Sequence, residues 1–582
     1  MKKNLYDGIR AISGLLIFII PLFVLPIARD YFEFPKMFLF YFLVLLLVGL
    51  WVLLIIFEKK IFIKKISLWL PISLLLFVWI LSTIFSIHPD TSLFGNPWRF
   101  NGGLLSIFAF IIFTFIVINT IDVKDINFYL KVALISTLST ALIGIMQAFK
   151  IIKFLPSDGR IGSTLGQANF LGSFLLIGIF ISIYFVLTTQ KTLKKFLSIL
   201  FIYLPILYCL ILTASRSAWL SLAIGILFFA LFLLLFKFKK QFLVISLISI
   251  ISFLAFFPIL KQKYRIINLS PQGTIYSRIY AWKGAWEITK NNPILGTGPE
   301  TFLYAMPKYR DARLNYNYEN WTSRFDKAHN EFLNLLATTG FLGFLTFLYL
   351  LFVVFKNSLK LSKVTNDFQI KILVSSLLAG LISLIIAVSF GFLVVPTWFF
   401  FWVIIAILAI LENKIIWQNQ NFTFSPKFLK NKINQSIVLT FITALIILAG
   451  YFLGRICLAE IYFSHGNNLK ATRLNSHLDI YLAALASEKH SPELAQKAIN
   501  LNPLNPDNWG NYAQIETNYL KKKEAMLIAE NLDPTNAQLF FELGQIAFNN
   551  DDLELAKKQL QKAIELKNDY QEAKNLLAQI SR

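Results

Sequence analysis

Long apolar stretches separated by short polar connections run through residues 1–456 of the chain. A helix needs about 20 apolar residues to cross a bilayer, and thirteen stretches meet or approach this length. They lie at 9–28, 36–57, 67–87, 104–119, 129–148, 169–189, 196–213, 217–236, 242–260, 331–355, 370–389, 397–411 and 437–456. The first follows basic residues as a signal peptide does, but it contains Pro21 and Pro26 and no small-residue cleavage site follows. The pattern predicts an all-α polytopic transmembrane helical bundle of about 12–13 spans, the first of them a retained helix.

Composition supports a membrane protein and excludes several other classes. Of the 582 residues, 56% are hydrophobic and 15% are charged, whereas a soluble globular chain carries about 25% charged residues. A disordered, fibrous or ordinary cytosolic protein is therefore excluded. The two cysteines, Cys209 and Cys457, lie in separate apolar stretches and provide neither a disulfide framework nor a thiolate metal site.

The basic residues predict the orientation in the membrane. With the N-terminus in the cytoplasm, 23 lysines and arginines fall in cytoplasmic segments and seven in the short outer connections. Much of the net charge of +23 is therefore explained by topology, and no nucleic-acid partner is expected. The cytoplasmic set is nearly all lysine, whereas four of the seven outer residues are arginine, which binds phosphate oxygens through a planar fork. We expect a multi-pass protein of a bacterial plasma membrane.

The spans divide the chain into four predicted regions. Residues 1–260 hold spans one to nine, 261–330 form a large extracytoplasmic loop domain, 331–456 hold spans ten to thirteen, and 457–582 form a separate domain. The loop carries 11 basic and five acidic residues. Within it, 276–289 has helical spacing with Trp282 and Trp286 on one stripe, which is typical of a helix lying in the membrane interface.

The last region contains an internal repeat. Similar segments begin at Ala498, Ala529 and Ala563, and their leucines Leu501, Leu532 and Leu566 are 31 and 34 residues apart. This period, with small residues where helices would pack, resembles tetratricopeptide repeats. We therefore expect a C-terminal α-solenoid outside the cell, with a possible protein partner or acceptor bound to it.

Five places on the predicted outer face carry unusual residues beside spans. The candidates are Arg99 in FGNPWRFNGGLL, Arg160 in GRIGSTLGQANFLG, Arg216 in TASRSAW, Arg278 with Trp282 in the loop helix, and His329 with Asn330 in KAHNEFLNLLATTGFLG. Each has an alternative interpretation. Arginines at span ends commonly extend to the interface without further function, a histidine can cap a helix, and Gly340 and Gly343 can serve close packing.

The order of these motifs resembles the O-antigen ligase / O-antigen polymerase superfamily of membrane glycosyltransferases. The resemblance covers about residues 1–415, with its motifs in 160–345, and forms with C-terminal tetratricopeptide repeats occur in that superfamily. It implies an undecaprenyl-diphosphate-linked glycan as donor, and essential roles for Arg216, Arg278 and His329. Span thirteen and the repeats depart from the ligase pattern. The acceptor therefore stays open among a lipid, a growing glycan (polymerase) and a protein (O-oligosaccharyltransferase).

Such a reaction needs cations beside the departing diphosphate and a base for the acceptor hydroxyl. We assign Arg216 and Arg278 to the diphosphate with Arg160 as a helper, and His329 to the base. Arg99, Asn330 and Trp282 are expected to contact the donor or glycan. Direct displacement at the anomeric carbon would invert it, without a metal or cofactor. The loop carboxylates remain open as metal ligands: Glu300, Asp311, Glu319 and Asp326.

Two functions of other classes remain as alternatives. A transporter typically has charged groups at mid-bilayer and repeated halves, whereas here the charges lie at span ends and no internal symmetry is seen. A membrane-anchored scaffold would use only the repeats, and it would not need thirteen spans.

Overall fold

The computed structural model describes residues 2–153, 155–156, 159–241, 274–316 and 324–581. Helices form nearly all of the regular structure, and one two-stranded ladder joins β1 to β2. The predicted span 242–260 lies outside the described residues. In the membrane region the elements are α1 Lys2–Ile19, α2 Glu33–Glu58, β1 Ile61–Lys64, α3 Trp69–Ile84, α4 Pro89–Phe94, α5 Leu104–Thr120, α6 Ile126–Ala148, α7 Ala168–Thr188, α8 Thr192–Ser198, α9 Leu204–Leu212, α10 Arg216–Leu235, α11 Thr274–Asn291, α12 Phe302–Ala305, α13 Glu331–Val364, α14 Phe368–Val388, α15 Val395–Ile415, β2 Asn421–Phe424 and α16 Lys432–Ser464.

Within the described residues, nine helical segments are long and apolar enough to cross a membrane, and α3 and α5 are shorter apolar helices. The chain is therefore an all-α polytopic membrane protein, as predicted. The predicted span 9–28 needs a correction. Helix α1 begins at Lys2 and ends at Ile19, and Pro21 and Pro26 lie in the turns beyond it because proline cannot continue a helix.

Helix α15 forms the centre of the bundle. All of its residues from Val395 to Asn413 are buried, as expected for a helix that is apolar on every side. In contrast, only four residues of α16 are buried, Leu453, Ile456, Ala459 and Glu460, so most of its surface is left to face lipid. The helices around α15 thus support one another through a continuous apolar core.

The two ends of the bundle differ. One end carries the β ladder, in which Ile61 pairs with Phe424 and Lys64 with Asn421 in antiparallel register. Of the longer helices in the described part of the membrane region, six that pack in the bundle begin at the opposite end: α2, α5, α7, α10, α13 and α15. The predicted outer-face motifs all lie in the connections at this second end.

The C-terminal region consists of eight short helices: α17 Asn468–Leu474, α18 Asp479–Lys489, α19 Pro492–Leu501, α20 Pro506–Ile515, α21 Tyr519–Leu532, α22 Ala537–Phe548, α23 Leu553–Leu566 and α24 Gln571–Ile580. The repeated leucines Leu501, Leu532 and Leu566 each end a helix, and a short turn leads to the next. The first alanine of each repeated segment is fully buried between helices. Helix α16 continues past residue 456, so this region begins beyond Ser464.

Candidate functional site

Polar contacts connect the N-termini of the helices at the second end of the bundle. The Glu33 carboxylate at the start of α2 accepts hydrogen bonds from Val395 N (2.7 Å), at the start of α15, and from the Asn101 amide (3.1 Å). Glu331, the first residue of α13, accepts from Leu393 N at 3.1 Å. Because the N-terminus of a helix carries a partial positive charge, this end of the bundle is polarised toward binding an anion.

Backbone strain is concentrated on the connections at this end. Among the described residues, six non-glycine residues there have positive φ. Lys150 (φ 59°) lies away from the predicted site residues, and the other five lie within three residues of one or belong to the same charge network: Phe100 (φ 50°), Ser163 (50°), Ala214 (51°), Glu300 (62°) and His329 (51°). Residues in this conformation are uncommon and cluster at active sites and ligand-binding loops. The strain is therefore an independent indication of a site.

The His329 ring lies between two phenylalanine rings. Its centroid is 5.9 Å from that of Phe325 and 5.5 Å from that of Phe392. Burial, opposed by Asp326 and aided by the nearby positive charges of Arg278 and Arg99, lowers the pKa of His329 to about 4. The imidazole is therefore neutral at physiological pH and able to accept a proton.

Phe392 connects several of these groups. Its ring is 5.3 Å from the Arg99 guanidinium carbon, 5.8 Å from Lys327 Nζ and 5.1 Å from the Phe170 ring at the start of α7. We call these residues and His329 the Phe392 cluster. The sequence analysis did not single out Phe392, because one phenylalanine among 58 carries no chemical signal of its own.

Two residues of the Phe392 cluster form ion pairs. Arg99 pairs with Asp326 at 2.9 Å, and Lys327 pairs closely with Glu300. Burial alone would raise the pKa of Asp326, but Arg99, His329 and Lys327 together lower it. The sequence analysis considered these carboxylates only as possible metal ligands. It gave Lys327 no role, although Asp326 and Lys327 immediately precede Ala328 and His329.

Two buried residues of opposite charge lie at the start of α2. Glu33 and Lys36 are 3% and 0% exposed, and Lys36 Nζ donates to the carbonyl oxygens of Phe32 (2.9 Å) and Thr164 (2.7 Å). The sequence analysis counted Lys36 only in the charge balance. The sequence does contain a signal for these two residues. They carry opposite charges, lie three residues apart at the start of an apolar stretch, and so fall on one face of a helix.

Arg278 and Trp282 lie one turn apart on α11. Arg278 is close enough to His329 to affect its pKa, so the structure brings Arg99, Arg278 and His329 together. The Trp282 side chain is half-buried, and its buried indole N–H donates to no group within the described residues. The predicted helix over 276–289 is confirmed as part of Thr274–Asn291.

Arg216 and Arg160 lie on the neighbouring side of the same end. Arg216 is the exposed first residue of α10, and the preceding Ser215 donates to Asn169 Oδ1 at 2.9 Å, beside Phe170. Arg160 is half-buried and lies four residues before Thr164. Arg216 is therefore close along the chain to a contact beside Phe170 of the Phe392 cluster, whereas Arg160 is close along the chain to Thr164, which accepts a hydrogen bond from Lys36. Direct convergence of their guanidinium groups with His329 remains a prediction.

Asn330 and Gly340 have structural roles in α13. The Asn330 side chain caps the helix by accepting from Phe332 N (3.0 Å) and Leu333 N (3.1 Å). Gly340, with φ 66° and ψ −172°, interrupts the helix where the loop after α11 crosses it. There Phe341 N donates to Pro293 O at 2.7 Å. Gly340 is therefore needed where the backbone of the loop passes close to the backbone of α13.

The described residues contain no group of three or more histidine, cysteine, aspartate or glutamate side chains that could hold a metal ion. Glu300 and Asp326 are instead paired with Lys327 and Arg99, and Asp311 is paired with Arg313 at 2.6 Å. Glu319 lies outside the described residues.

The fold and this charged end define a multi-pass membrane protein with a buried polar site where six helices begin. Residues 199–348, about a quarter of the chain, match the family model Wzy_C, O-antigen ligase. The matched stretch contains Arg216, Arg278, Trp282, His329 and Asn330. No curated protein matches the chain. The protein is thus a multi-pass membrane protein in which residues 199–348 are similar to the O-antigen ligase family model, and this similarity supports an enzyme of the glycosyltransferase type.

Proposed function

We propose that the protein transfers a glycan from an undecaprenyl-diphosphate donor to an acceptor hydroxyl at the outer face of a bacterial plasma membrane. The observation that carries this proposal is the His329 ring packed on Phe392, against which the Arg99 guanidinium also lies, at the end of the bundle where several helices begin. A lipid-linked diphosphate presents its sugar–phosphate bond at the headgroup level, where such a site would meet it.

The arginine side chains and the N-termini of the helices would bind the diphosphate. Arg278 would contact it from α11, and Arg216 from the start of α10, with Arg160 as a helper. A cation at the N-terminus of a helix is unfavourable by about 0.3–1 kcal/mol, and an anionic ligand bound there reverses the sign of that interaction. One well-placed donor stabilises a developing negative charge by about 3 kcal/mol.

His329 would act on the acceptor. Its neutral ring accepts the proton of the acceptor hydroxyl, and the oxygen forms a bond to the anomeric carbon of the donor sugar. The bond from that carbon to the phosphate oxygen breaks, and its electron pair leaves with the diphosphate. A single displacement inverts the anomeric configuration. The chemistry requires no cofactor or metal ion, since the arginines take the role of a divalent cation.

Arg99, Trp282 and Asn330 would contribute around the donor. Arg99 lies against Phe392 and is held by Asp326, so it presents a fixed positive charge to the site. The unsatisfied Trp282 N–H is available as a donor to a glycan hydroxyl or phosphate oxygen. Asn330 acts through the cap that orients α13 directly after His329.

The acceptor can be a lipid, a growing glycan or a protein. The experiment supplies the purified full-length protein with a labelled undecaprenyl-diphosphate glycan and each acceptor class, in the presence of EDTA. We expect an inverted glycosidic product with one acceptor class. Absence of product with all three classes, or transfer that stops in EDTA, would refute the proposal.

A further inference from the structure

The turns between the repeat helices face the protein's own large loop. Three turns follow the repeated leucines, at 501–507, 532–536 and 566–568, and we call them the repeat-turn edge. The middle turn accepts two hydrogen bonds at Thr535 O, from Arg310 (3.0 Å) and Asn315 (2.8 Å). Its hydroxyl donates back to Arg310 O at 3.0 Å.

The turns on either side make similar contacts. In the last turn, Leu566 O accepts from the Asn315 amide at 3.1 Å, and Asn568 N donates to the Tyr316 hydroxyl oxygen at 2.8 Å. In the first turn, Asp507 receives both terminal nitrogens of Arg324 at 2.6 and 2.7 Å. Described residues of the loop therefore contact all three turns.

The residue that follows each repeated leucine differs, and two of the three contact charged or aromatic groups of the loop. Lys567 lies 5.6 Å from the Tyr316 ring centroid. Asp533 is 0% exposed and faces two loop arginines, with Arg324 Nε at 3.8 Å and Arg310 nearby. The third, Asn502, lines a cavity of about 330 Å³ together with Tyr304 of the loop.

Arg324 connects the repeat-turn edge to the Phe392 cluster. Its side chain is only 12% exposed, and it contacts Asp507, Asn505 and Asp533 from two different turns. The residues that follow Arg324 in the chain contact the Phe392 cluster or belong to it. Phe325 packs on His329, and Asp326 and Lys327 form ion pairs with Arg99 and Glu300.

We propose that Arg324 is a positioning residue, and that the repeat domain completes the site in cis by holding the segment 324–329 through this side chain. The effect on glycan transfer rests on the proposed function, whereas the holding of the segment does not. A protein partner of the repeats would have to bind a surface other than the repeat-turn edge.

The test uses the full-length protein with Arg324→Ala, Asp507→Ala and the double variant. We expect each single variant to lower kcat for transfer about ten- to hundredfold, because a displacement of about 1 Å is enough for such a loss. The KM for the donor should change less than twofold, and the double variant should be no slower than Arg324→Ala. The matched control is Arg313→Ala on the same loop, because Arg313 pairs with Asp311.

A second measurement is independent of activity. Hydrogen–deuterium exchange of residues 324–335 should rise in Arg324→Ala and Asp507→Ala but not in Arg313→Ala. Wild-type kcat together with unchanged exchange would overturn the proposal. If the wild-type protein transfers no glycan, exchange alone decides. Asp507 is 74% exposed, so its variant keeps the test available if Arg324→Ala does not fold.

Discussion

Replacing Glu300 with glutamine should destabilise the protein strongly, because it leaves Lys327 without its partner. The two side chains are 4% and 7% exposed. Removing one member of a buried pair typically costs about 3–5 kcal/mol, since the remaining charge must stay uncompensated or lose its proton. Replacing both charges with uncharged residues of similar shape is often close to neutral. We therefore expect Glu300→Gln to lose about 3–5 kcal/mol and the double variant Glu300→Gln/Lys327→Met to recover at least half of the loss.

The assay is equilibrium unfolding in mixed micelles, with the four proteins arranged as a double-mutant cycle. The matched control is Glu287→Gln. Glu287 pairs with Lys290 at 2.7 Å on the same loop, but these side chains are 46% and 51% exposed. Such a surface pair contributes about 0.5 kcal/mol or less. Equal losses for Glu300→Gln and Glu287→Gln, or strictly additive losses in the cycle, would refute the buried-pair reasoning.

Three further predictions concern the backbone, the pH dependence and the orientation. Gly340→Ala should destabilise the protein by at least about 1–2 kcal/mol, because φ is 66° and a Cβ would lie 2.3 Å from a loop carbonyl oxygen, whereas Gly454→Ala, which meets open space, should not. The acid limb of the kcat/KM profile should fall near pH 4 and not near 6.5 if His329 is the base, and a limb near 6.5 would contradict its burial. The fold should also lose stability as pH falls from about 6.5 to about 4, because the unfolded chain binds this proton there and the folded chain does not. In a cysteine-free background on whole cells, an impermeant maleimide should label Lys290→Cys at once and Lys363→Cys only after permeabilisation, and the reverse would invert the proposed topology.

The helices of the membrane region could be predicted because their signal is local. A run of about 20 apolar residues has few alternatives in a membrane protein, and the repeated leucines mark helix ends at the same place in each repeat. Helix α1 shows the limit of this approach. Hydropathy extended it to residue 28, but Pro21 and Pro26 end the helix at Ile19.

Part of the site could be predicted from residue type alone. Arg99, Arg278 and His329 attracted notice because a cation or an imidazole beside a span is unusual, and the structure brings them together. The pairing of Glu300 with Lys327 could not be predicted. It joins residues 27 positions apart through the path of an irregular loop, and no periodic pattern encodes that path.

The docking of the loop on the repeats was missed for the same reason. Arg324 was one of 11 basic loop residues, and its contact with Asp507 joins positions 183 apart in the chain. The role of Asn330 at the substrate stays a prediction. In the structure its side chain caps α13 directly after His329.

The central claim is that His329 supplies the base beside a diphosphate held by arginines. Its most direct test is single-turnover transfer by His329→Ala, with binding of the undecaprenyl-diphosphate glycan measured on the same sample. We predict that the variant binds the donor within about twofold of wild type and forms product at least about 100-fold more slowly. Transfer at the wild-type rate would contradict the account.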